Sequence, residues 1–287
     1  MPLGQLRNRT DLLRGYFASE KDFPIGFGET LARGALKLPC TMIGPRYVSR
    51  IEELGEYQRV YFRGIRHPLF WPKRLGTFDL YKAATDCLHE EDWHHYEVPE
   101  TRVQPGDVVL DCGAAEGLFA LSVLDRAGQV VIFEPSADFA DSLLRTFGNI
   151  SNATIVPAAL GSSEGKAFLA GNSLYGFVKK DEGIPIDITT IDGWSARTNT
   201  HIDFLKGDLE SYEFEVLKGA RTTIRRDRPK IAFTVYHPGN NWREMVGLLS
   251  ELVPQYKFRV KGLSYNGGCA RPVMLHAWTL GLDKTDG

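Results

Sequence analysis

The sequence predicts an α/β fold with a mainly parallel sheet, a C-terminal antiparallel hairpin and an N-terminal extension. From Asp107 onward, short apolar runs alternate with amphipathic segments, which is the order of strands and crossover helices in a parallel sheet. A turn of small residues over 111–117 joins the first apolar run to the first amphipathic segment. The last two apolar runs, 256–264 and 272–280, have no helical segment between them, so they predict a hairpin.

The first strand–turn–helix–strand unit spans 107–135. Its short apolar run over 108–110 is typical of a strand that is buried on both faces. A helix is predicted over 118–127, where a glycine follows the last helical residue. The second strand is predicted over 130–133, and Glu134 stands at its carboxyl end.

Further units follow along the chain. They are a helix over 137–147 with Ser136 as its N-cap, a third strand from Thr154, a polar hairpin-like insertion over 161–190, a strand from His201, a helix over 211–226 and a strand from Lys230. The helix over 211–226 has apolar residues spaced by three and four, which predicts one buried face. We therefore expect one domain over 101–287, preceded by an extension over 1–100.

Residues 1–100 lack this alternation. The segment 57–76 mixes aromatic and basic residues, and its alternation predicts short antiparallel strands. Aromatic rings stack on sugars and arginines bind carboxylates or phosphates, so one hypothesis is a lid that recognises an acidic sugar, a sugar nucleotide or a lipid-linked glycan. Stacking on single-stranded nucleic acid and a half-buried hairpin with solvated bases are the alternatives. The extension as a whole is expected to act as a lid, in substrate recognition or in dimerisation, which leaves a homodimer open.

The composition indicates a soluble enzyme. The chain has 287 residues, of which 43% are hydrophobic and 24% are charged, and it can bury a sizeable core. Its net charge of -2 favours neither nucleic acid nor an anionic membrane. No apolar run approaches the roughly 20 residues that span a bilayer, and the polar, basic N-terminus lacks the apolar core of a signal peptide. The four cysteines are far apart, so we expect a cytoplasmic location and no cysteine-bound metal.

The turn over 111–117 is the expected cofactor site, because ligands bind at the carboxyl ends of parallel strands. A dinucleotide-binding turn reads G-x-G-x-x-G, whereas here Leu118 stands at the third glycine position. The spacing D-x-G-x-x-x-G fits enzymes that bind S-adenosyl-L-methionine (SAM), since SAM needs close backbone approach but no anion site. Gly113, Ala115 and Gly117 would give that approach. An NAD-dependent oxidoreductase is therefore disfavoured, and a plain βαβ turn is the structural alternative.

Neighbouring side chains complete the predicted cofactor site. Asp111 and Glu116 suit the cationic sulfonium and amino group of SAM and would repel a pyrophosphate. Glu134 can accept hydrogen bonds from both ribose hydroxyls. Ala158 and Ala159 leave room for a flat adenine ring, and ordinary close packing is the alternative for these alanines.

Asp208, Glu210 and His237 are the candidate catalytic residues. Asp208 and Glu210 end the fourth strand two positions apart, so both side chains point the same way if the chain is extended, and His237 ends the next strand. An alcohol is a poor nucleophile, so a base should take its proton. We predict His237 or Asp208 as this base, with Glu210 orienting the substrate or the amino group of SAM. The alternatives are that Glu210 is only a helix N-terminal carboxylate, that Asp208 is a structural turn residue and that His237 is an exposed loop histidine. A divalent metal held by the three side chains is left open but not predicted. The other histidines show no ligand spacing.

Several motifs resemble the FkbM-type SAM-dependent methyltransferases over about residues 94–278, namely PGDVVLDCGAAEGLFAL, VIFEPSADFADSLL, PAALGSSEG, TTIDGW and HIDFLKGDLESYEFEVLKGA. The most specific is FLKGDLESYEFEVLKGA, whose family form reads FIKIDIEGYELEVLKGA. Gly207 stands where isoleucine or valine is usual, and Ser211 where glycine is usual. The resemblance implies a Rossmann-like class I methyltransferase fold with a seven-stranded sheet and methyl transfer to a hydroxyl group. It also implies that Tyr96 lies near the methionine end of the cofactor.

We therefore expect a SAM-dependent O-methyltransferase that acts on a hydroxyl of a sugar, glycan or secondary metabolite and releases S-adenosyl-L-homocysteine (SAH). The expected partner is a small-molecule or glycan substrate, with no nucleic acid and no membrane. An RNA methyltransferase is one alternative, and it predicts a continuous basic track. A SAM-binding module without catalysis is the other, and the changes at Gly207 and Ser211 give it only limited support.

Overall fold

A computed structural model describes residues 3–18, 24–170, 177–179, 183–266 and 269–280. The helices are α1 (Leu3–Ala18), α2 (Phe27–Glu29), α3 (Cys40–Ile43), α4 (Gly76–Leu88), α5 (Leu118–Val123), α6 (Ala137–Phe147), α7 (Ile191–Thr198), α8 (Glu213–Lys218), α9 (Arg221–Asp227) and α10 (Trp242–Leu252), and a π-helical turn over Thr30–Ala35 continues α2. None of the described helices is both long and apolar enough to cross a membrane.

The strands form three sheets. They are β1 (Val48–Leu54), β2 (Tyr57–Phe62), β3 (Leu69–Pro72), β4 (Val108–Cys112), β5 (Gln129–Phe133), β6 (Ala153–Val156), β7 (Ala159–Leu160), β8 (Gly165–Ala170), β9 (Phe177–Lys179), β10 (Ile184–Thr189), β11 (Phe204–Gly207), β12 (Lys230–Thr234), β13 (Tyr256–Asn266) and β14 (Cys269–Thr279). The small sheets have the orders β1-β2-β3 and β7-β10-β8-β9.

The largest sheet has seven strands in the order β13-β14-β12-β11-β4-β5-β6. The strands from β12 to β6 run parallel to one another. Strand β14 pairs antiparallel with β12, and β13 pairs antiparallel with β14. This arrangement confirms the predicted Rossmann-like fold, with its mainly parallel seven-stranded sheet and C-terminal antiparallel hairpin.

The direction of the chain across the sheet reverses between β4 and β11. Strands β5 and β6 lie on one side of β4, and the chain then returns to place β11 on the other side. Leu205 pairs with Leu110, and Gly207 pairs with Cys112, so the two strands end side by side. Open α/β sheets bind ligands at such a reversal, outside the carboxyl ends of the strands. The turn after β4 and the residues after β11 therefore line the expected crevice.

Two apolar clusters cover the two faces of this sheet. Successive residues of β4 point to opposite faces, so Val109 belongs to one cluster and Leu110 to the other. Helices α7 to α10 supply the cluster around Leu110. Helices α5 and α6 supply the cluster around Val109, and the N-terminal region adds buried side chains such as Trp71 and Leu80. The N-terminal region thus shares a core with the parallel sheet.

The predicted helix over 211–226 is two helices, α8 and α9. The Asp192 carboxylate accepts hydrogen bonds of 2.9 and 2.7 Å from successive backbone N–H groups at the start of α9, so a new helix begins there. Gly219 lies between the helices, and a Cβ on it would stand 2.0 Å from the Gly161 carbonyl oxygen. Both contacts involve segments distant in sequence, which the spacing of apolar residues cannot reveal.

The other elements follow the sequence more closely. The helix over 137–147 is confirmed, and Ser136 caps it by accepting a hydrogen bond from the Asp138 N–H group. The predicted helix over 118–127 is shorter and ends at Val123. The third strand divides into β6 and β7, and β7 joins the second small sheet. In the insertion, β8 and β10 form the expected antiparallel pair, while residues 171–176 and 180–182 lie outside the described residues.

Candidate functional site

The turn after β4 is built from residues with positive φ. Gly113, Ala115 and Gly117 have φ of 72°, 48° and 85°. A Cβ on Gly113 would lie 2.1 Å from the Asp208 carbonyl oxygen, so this glycine lets the ends of β4 and β11 touch. A Cβ on Gly117 would lie 2.7 Å from the Phe147 ring, so the second glycine packs the turn against α6. Gly113 and Gly117, two of the three predicted small residues, are thus required for the packing of the turn.

Glu134 holds this turn. Its two carboxylate oxygens accept 2.8 Å hydrogen bonds from the N–H groups of Ala115 and Ser136. Glu134, Ala158 and Ala159 line a space of about 110 Å³, which we call the Glu134 cavity. Burial raises the pKa of Glu134 to about 7, although both backbone hydrogen bonds act in the opposite direction. A ligand that donates hydrogen bonds to this carboxylate would favour its ionised form.

Asp111 has a different environment from the one that the sequence suggested. It is fully buried, its carboxylate lies 2.8 Å from the ammonium group of Lys206, and it accepts a hydrogen bond from the Ala120 N–H group. Lys206 also donates a 2.6 Å hydrogen bond to the Gly113 carbonyl. Burial acts to lower the pKa of Lys206, but the charges of Asp111 and Asp208 raise it overall, so Lys206 stays protonated. This pair ties β4, β11 and the turn together, and the sequence analysis assigned no role to Lys206.

Tyr96 and Asp208 face a second space of about 130 Å³, the Tyr96 cavity. The Tyr96 hydroxyl donates a 2.7 Å hydrogen bond to Asp208 Oδ2. The Tyr96 cavity and the Glu134 cavity share the lining residues Gly113, Ala115, Asp208 and Glu210. One extended ligand can therefore occupy both spaces, passing between the turn and the end of β11.

The Tyr96 cavity is acidic. Its lining includes the carboxylates of Asp79, Asp86, Glu116, Asp208 and Glu210, against the ammonium groups of Lys82 and Lys206. Burial raises the pKa of Glu116 to about 7, because the charges of Lys206 and Lys82 only partly offset its desolvation. A cationic ligand would relieve this cost, so the cavity suits a positively charged group.

The structure brings most of the predicted site residues together. The Glu134 cavity is lined by Gly113, Ala115, Glu134, Ala159, Asp208 and Glu210. The Tyr96 cavity adds Tyr96. Asp111, Gly117 and His237 line neither of these two spaces.

Glu213 is a functional candidate that the sequence analysis missed. Its side chain is fully buried, and Oε1 accepts hydrogen bonds from the Leu209 N–H group, the Thr234 hydroxyl and His237 Nδ1. The side-chain amide of Asn240 donates to Oε2 at 2.6 Å. A signal was present, because Glu213 precedes the buried apolar residues of α8 by three and four positions, where a charge needs buried partners.

His237 lies between carboxylates. Its Nδ1 is 2.7 Å from Glu213 Oε1, and its Nε2 is 3.7 Å from Asp208 Oδ1 and 3.5 Å from Glu210 Oε2. Burial acts to lower the pKa of His237, but the hydrogen bond to Glu213 and the three negative charges raise it to about 9. His237 therefore carries a proton at neutral pH, and its positive charge helps to hold the pKa of Asp208 well below the usual range.

His94 is the second histidine beside Asp208, and the sequence analysis assigned it no role. Its Nε2 lies 3.6 Å from Asp208 Oδ2 and 3.4 Å from the Tyr236 hydroxyl. Its Nδ1 is buried and has no hydrogen-bond partner among the described residues. Burial lowers the pKa of His94 below its ordinary value, so this ring is neutral at neutral pH. One carboxylate thus lies between a cationic and a neutral imidazole.

Asp208, Glu213 and His237 also bring one ligand atom each to within 4.8 Å of one another, as a divalent cation requires. Glu213 replaces Glu210 of the trio that the sequence suggested. The same carboxylate already accepts four hydrogen bonds, so an ion would have to displace donors from it. His237 Nε2 and Asn240 Oδ1 of this network are buried and have no hydrogen-bond partner among the described residues. The roles below are assigned to the side chains themselves.

The two departures from the family motif have structural consequences. A Cβ on Gly207 would lie 2.7 Å from the ring of Phe233 on the adjacent strand, so the phenylalanine occupies the space of the usual branched side chain. Ser211 has a φ of 86°, in the left-handed region that favours glycine, and Glu210 before it has a φ of 48°. The carboxylate of Glu210 is therefore presented by a strained turn.

We expect Ser211→Gly to stabilise the protein by about 0.5–1 kcal/mol, since left-handed backbone costs a residue with a side chain about 1–2 kcal/mol and the added flexibility of glycine offsets part of this gain. Urea unfolding of both proteins would measure the change. Ser163→Gly is the matched control, because Ser163 is exposed and its φ is not positive, so this change should destabilise. Equal effects at the two positions would contradict strain at Ser211.

The aromatic and basic segment 57–76 forms β2 and β3, which confirms the predicted antiparallel strands. Phe62 and Trp71 are buried in the core, and Trp71 lines the Tyr96 cavity. The basic residues point elsewhere: the Arg63 side chain donates to the Arg46 carbonyl at 3.0 Å. None of the basic residues of this described segment lines the Glu134 or Tyr96 cavity.

The double change Arg63→Ala and Arg66→Ala is therefore expected to leave the acceptor KM within about twofold of the wild-type value, the range of ordinary surface substitutions. Initial rates over a range of acceptor concentrations would measure it. A large rise in acceptor KM, with SAH binding intact, would instead support a lid formed by these arginines.

Comparison with known proteins places the site within a recognised domain. The profile of the methyltransferase FkbM domain matches residues 111–260, just over half of the chain. This span contains the glycine turn, Glu134, Asp208, Glu213 and His237, while Tyr96 and His94 precede it. No curated protein matches the sequence.

Several solved structures are similar to this chain. They include a methyltransferase FkbM from Methylobacillus flagellatus KT (20% identity, TM-score 0.45, covering 70% of this chain and 54% of that chain), a methyltransferase from Streptococcus mutans in complex with SAH (12% identity, TM-score 0.39, 62% and 91%) and an rRNA methylase from Streptococcus thermophilus (10% identity, TM-score 0.40, 62% and 90%). The match to the Methylobacillus protein spans only about half of its length.

Proposed function

The chain belongs to the FkbM methyltransferase family, and from this premise we propose that it transfers the methyl group of SAM to a hydroxyl of a sugar, glycan or secondary metabolite. The observation that supports this proposal is the junction of two cavities at Asp208 and Glu210. One cavity offers the half-buried Glu134 carboxylate beside two alanines, and the other is acidic and is lined by His94.

The chemistry of the two cavities fits SAM, which when bound supplies a methyl group activated on a sulfonium cation. Glu134 would hold the ribose through its free lone pairs, and Ala158 and Ala159 would flank the adenine. The carboxylates of Glu116 and Asp208 would face the cationic methionine portion. Their negative charge favours this ligand over a pyrophosphate-bearing dinucleotide.

A base must accept the proton of the acceptor hydroxyl, and we assign this role to His94. Asp208 lies beside two histidines whose pKa values are shifted in opposite directions. The two rings therefore differ in protonation at neutral pH, which gives them different roles. His237 is already protonated, so it cannot accept a proton at neutral pH. His94 is neutral, it faces the Tyr96 cavity, and Asp208 lies 3.6 Å from its Nε2. In this arrangement Asp208 orients the base and stabilises the imidazolium that forms.

His237 and Glu210 then act around Asp208. Glu213 fixes the His237 ring through Nδ1, which directs Nε2 toward Asp208 and Glu210. Glu210 lines both cavities and would orient the acceptor or the amino group of the cofactor. Positioning of this kind is the main contribution a methyltransferase makes, because an in-line displacement depends on the approach of the nucleophile.

Glu134→Ala is expected to raise the dissociation constant of SAH by roughly 10–100-fold, because a hydrogen bond to a charged group contributes about 1.5–3 kcal/mol. The turnover of the saturated variant should change little, since Glu134 lies at the end of the site away from His94. Calorimetric titration measures the first effect and kcat at saturating SAM the second. Glu56→Ala, at an exposed position outside both cavities, should affect neither.

Calorimetric titration of the purified protein with SAH, in parallel with NADH and after EDTA treatment, tests the proposed function. We expect binding of SAH, no binding of NADH and no effect of EDTA. Failure to bind SAH would refute the proposed function. Loss of SAH binding or of turnover after EDTA treatment would restore the metal hypothesis for Asp208, Glu213 and His237.

Other expectations remain predictions. We propose a cytoplasmic location on the basis of the four dispersed cysteines. We also propose a small molecule or glycan, rather than a nucleic acid or a membrane, as the partner. A homodimer formed through residues 1–100 is left to measurement of the mass in solution.

A further inference from the structure

A third and much larger space of about 690 Å³ lies beside the Tyr96 cavity. Its walls come from α1, from the segment between α2 and α3, from α4 and from the hairpin of β13 and β14. Trp93 and Leu12 lie on its wall, and we call it the Trp93 cavity. Its volume is within the range of sites for drug-sized molecules. The N-terminal region and the C-terminal hairpin therefore enclose a space that the core domain alone does not form.

The Trp93 cavity opens toward the proposed reaction centre. It shares the lining residues Lys82, Asp86, His94 and Tyr236 with the Tyr96 cavity. The base assigned above thus faces both spaces. A molecule in the Trp93 cavity can place one atom at His94 while the Tyr96 cavity holds the methyl donor.

The surface of the Trp93 cavity is mainly apolar. Leu12, Leu263 and Val273 are buried side chains on its wall, and Trp93 adds an aromatic face. Leu38 and Phe78 also line it and are 43% and 53% exposed, so they mark an apolar mouth. A small free sugar would leave most of this surface without a complementary partner.

Four of the charged residues on the wall form two ion pairs. The ammonium group of Lys37 lies 3.2 Å from an oxygen of Asp92, and that of Lys82 lies 2.5 Å from an oxygen of Asp86. Each of these two cations is neutralised by an adjacent carboxylate, and Arg9, the remaining basic residue of the lining, donates to the Lys37 carbonyl. The part of the wall that includes His94 therefore carries balanced charges, those of Lys82 and Asp86. Beside His94, an uncharged body fits this distribution better than an anionic one.

We propose that the Trp93 cavity is the acceptor site, and that the acceptor is an uncharged molecule with a hydroxyl at His94 and an apolar body between the N-terminal region and the C-terminal hairpin. This inference rests on the proposed methyl transfer to a hydroxyl and specifies its substrate class. It moves acceptor recognition from the basic segment 57–76 to residues of α1, α4 and β13. A lipophilic alcohol and a glycan with an apolar aglycone share the required chemistry.

Alkyl β-glucosides of increasing chain length test the proposal. The protein is first saturated with SAH, and methyl, butyl, hexyl and octyl β-glucoside are titrated below their micelle concentrations in a calorimeter. Each methylene that becomes fully buried should tighten binding by about fourfold, which corresponds to about 0.8 kcal/mol. Octanol serves as a second probe: octanol weaker than the octyl glucoside indicates a glycan head group, and octanol of equal affinity indicates a lipophilic alcohol.

Two variants locate the binding site. Ser264→Phe places a ring on the wall of the cavity and should abolish the dependence on chain length, whereas Lys257→Phe, at an exposed position of the same strand, should preserve it. Leu38→Asp changes the exposed mouth without altering the core and should weaken octyl but not methyl glucoside. SAH binding by each variant shows that it has folded.

The outcomes separate the inference from the function on which it rests. If SAH binds but affinity is the same or undetectable along the glucoside series, the apolar acceptor site is wrong while the methyltransferase proposal stands. The same conclusion follows if Ser264→Phe and Lys257→Phe behave alike. If the wild-type protein fails to bind SAH, the proposed function itself fails.

Discussion

Replacing Lys206 by methionine is expected to destabilise the protein by about 3–5 kcal/mol, because this change leaves the buried carboxylate of Asp111 without its counter-ion. Both side chains are almost fully buried, and their charged groups lie 2.8 Å apart. The change also removes the hydrogen bond from the ammonium group to the Gly113 carbonyl. The penalty comes mainly from the charge that remains, since the methionine itself fills a similar volume.

The double variant Asp111→Asn and Lys206→Met separates the two contributions. It removes both charges, and the asparagine oxygen can still accept the hydrogen bond that the Ala120 N–H group gives to Asp111. We expect it to recover much of the lost stability, as replaced buried ion pairs usually do. Lys257→Met on an exposed strand position is the control and should shift the unfolding free energy by no more than about 0.5 kcal/mol.

Urea unfolding of the four proteins measures these differences. A double variant as unstable as Lys206→Met would contradict the account, because it would show that the geometry of the ammonium group, rather than the uncompensated charge, holds the turn. Loss of stability below about 1 kcal/mol in the single variant would show that water reaches Asp111.

The sequence predicts the parallel sheet well because each strand is a short contiguous segment with a distinctive apolar composition. Apolar runs such as 108–110 and 130–133 are buried on both faces, so their composition alone identifies them. The boundaries that the sequence misses depend on distant contacts. Asp192 starts α9 from outside the helix, and residues of the first β-sheet pack into the core of the domain that follows.

The candidate site shows the same division. The glycine turn and Glu134 are contiguous in sequence with the strands that carry them, so their position follows from the order of elements. His94 and Lys206 gain their roles from partners more than ninety residues away, Asp208 for the first and Asp111 for the second. Spacing cannot show such pairs. Ser211 is an intermediate case. It stands where the family motif has glycine, so the sequence alone already indicates backbone strain, and the positive φ agrees.

His94→Gln is expected to lower kcat by about 10²–10⁴-fold, the usual contribution of a general base. Glutamine is similar in size and can keep a hydrogen bond near Asp208, but it cannot accept a proton at neutral pH. SAH binding should persist, since the residues assigned to the ribose and adenine are untouched. His67→Gln is the matched control, because His67 lines none of the three cavities.

The pH dependence of kcat decides which histidine is the base. A base works only when it is unprotonated, and burial lowers the pKa of His94 below its ordinary value. The wild-type kcat should therefore be constant from neutral pH upward. It should fall as the pH drops through this lowered pKa, with the slope expected for protonation of a single group. Were His237 the base, kcat would still be rising up to pH about 9, because Glu213 and the nearby carboxylates outweigh its burial and raise its pKa to that value. A rise of this kind, together with nearly unchanged turnover in His94→Gln, would return the role to His237 and leave His94 as a residue that only shapes the passage between the two cavities.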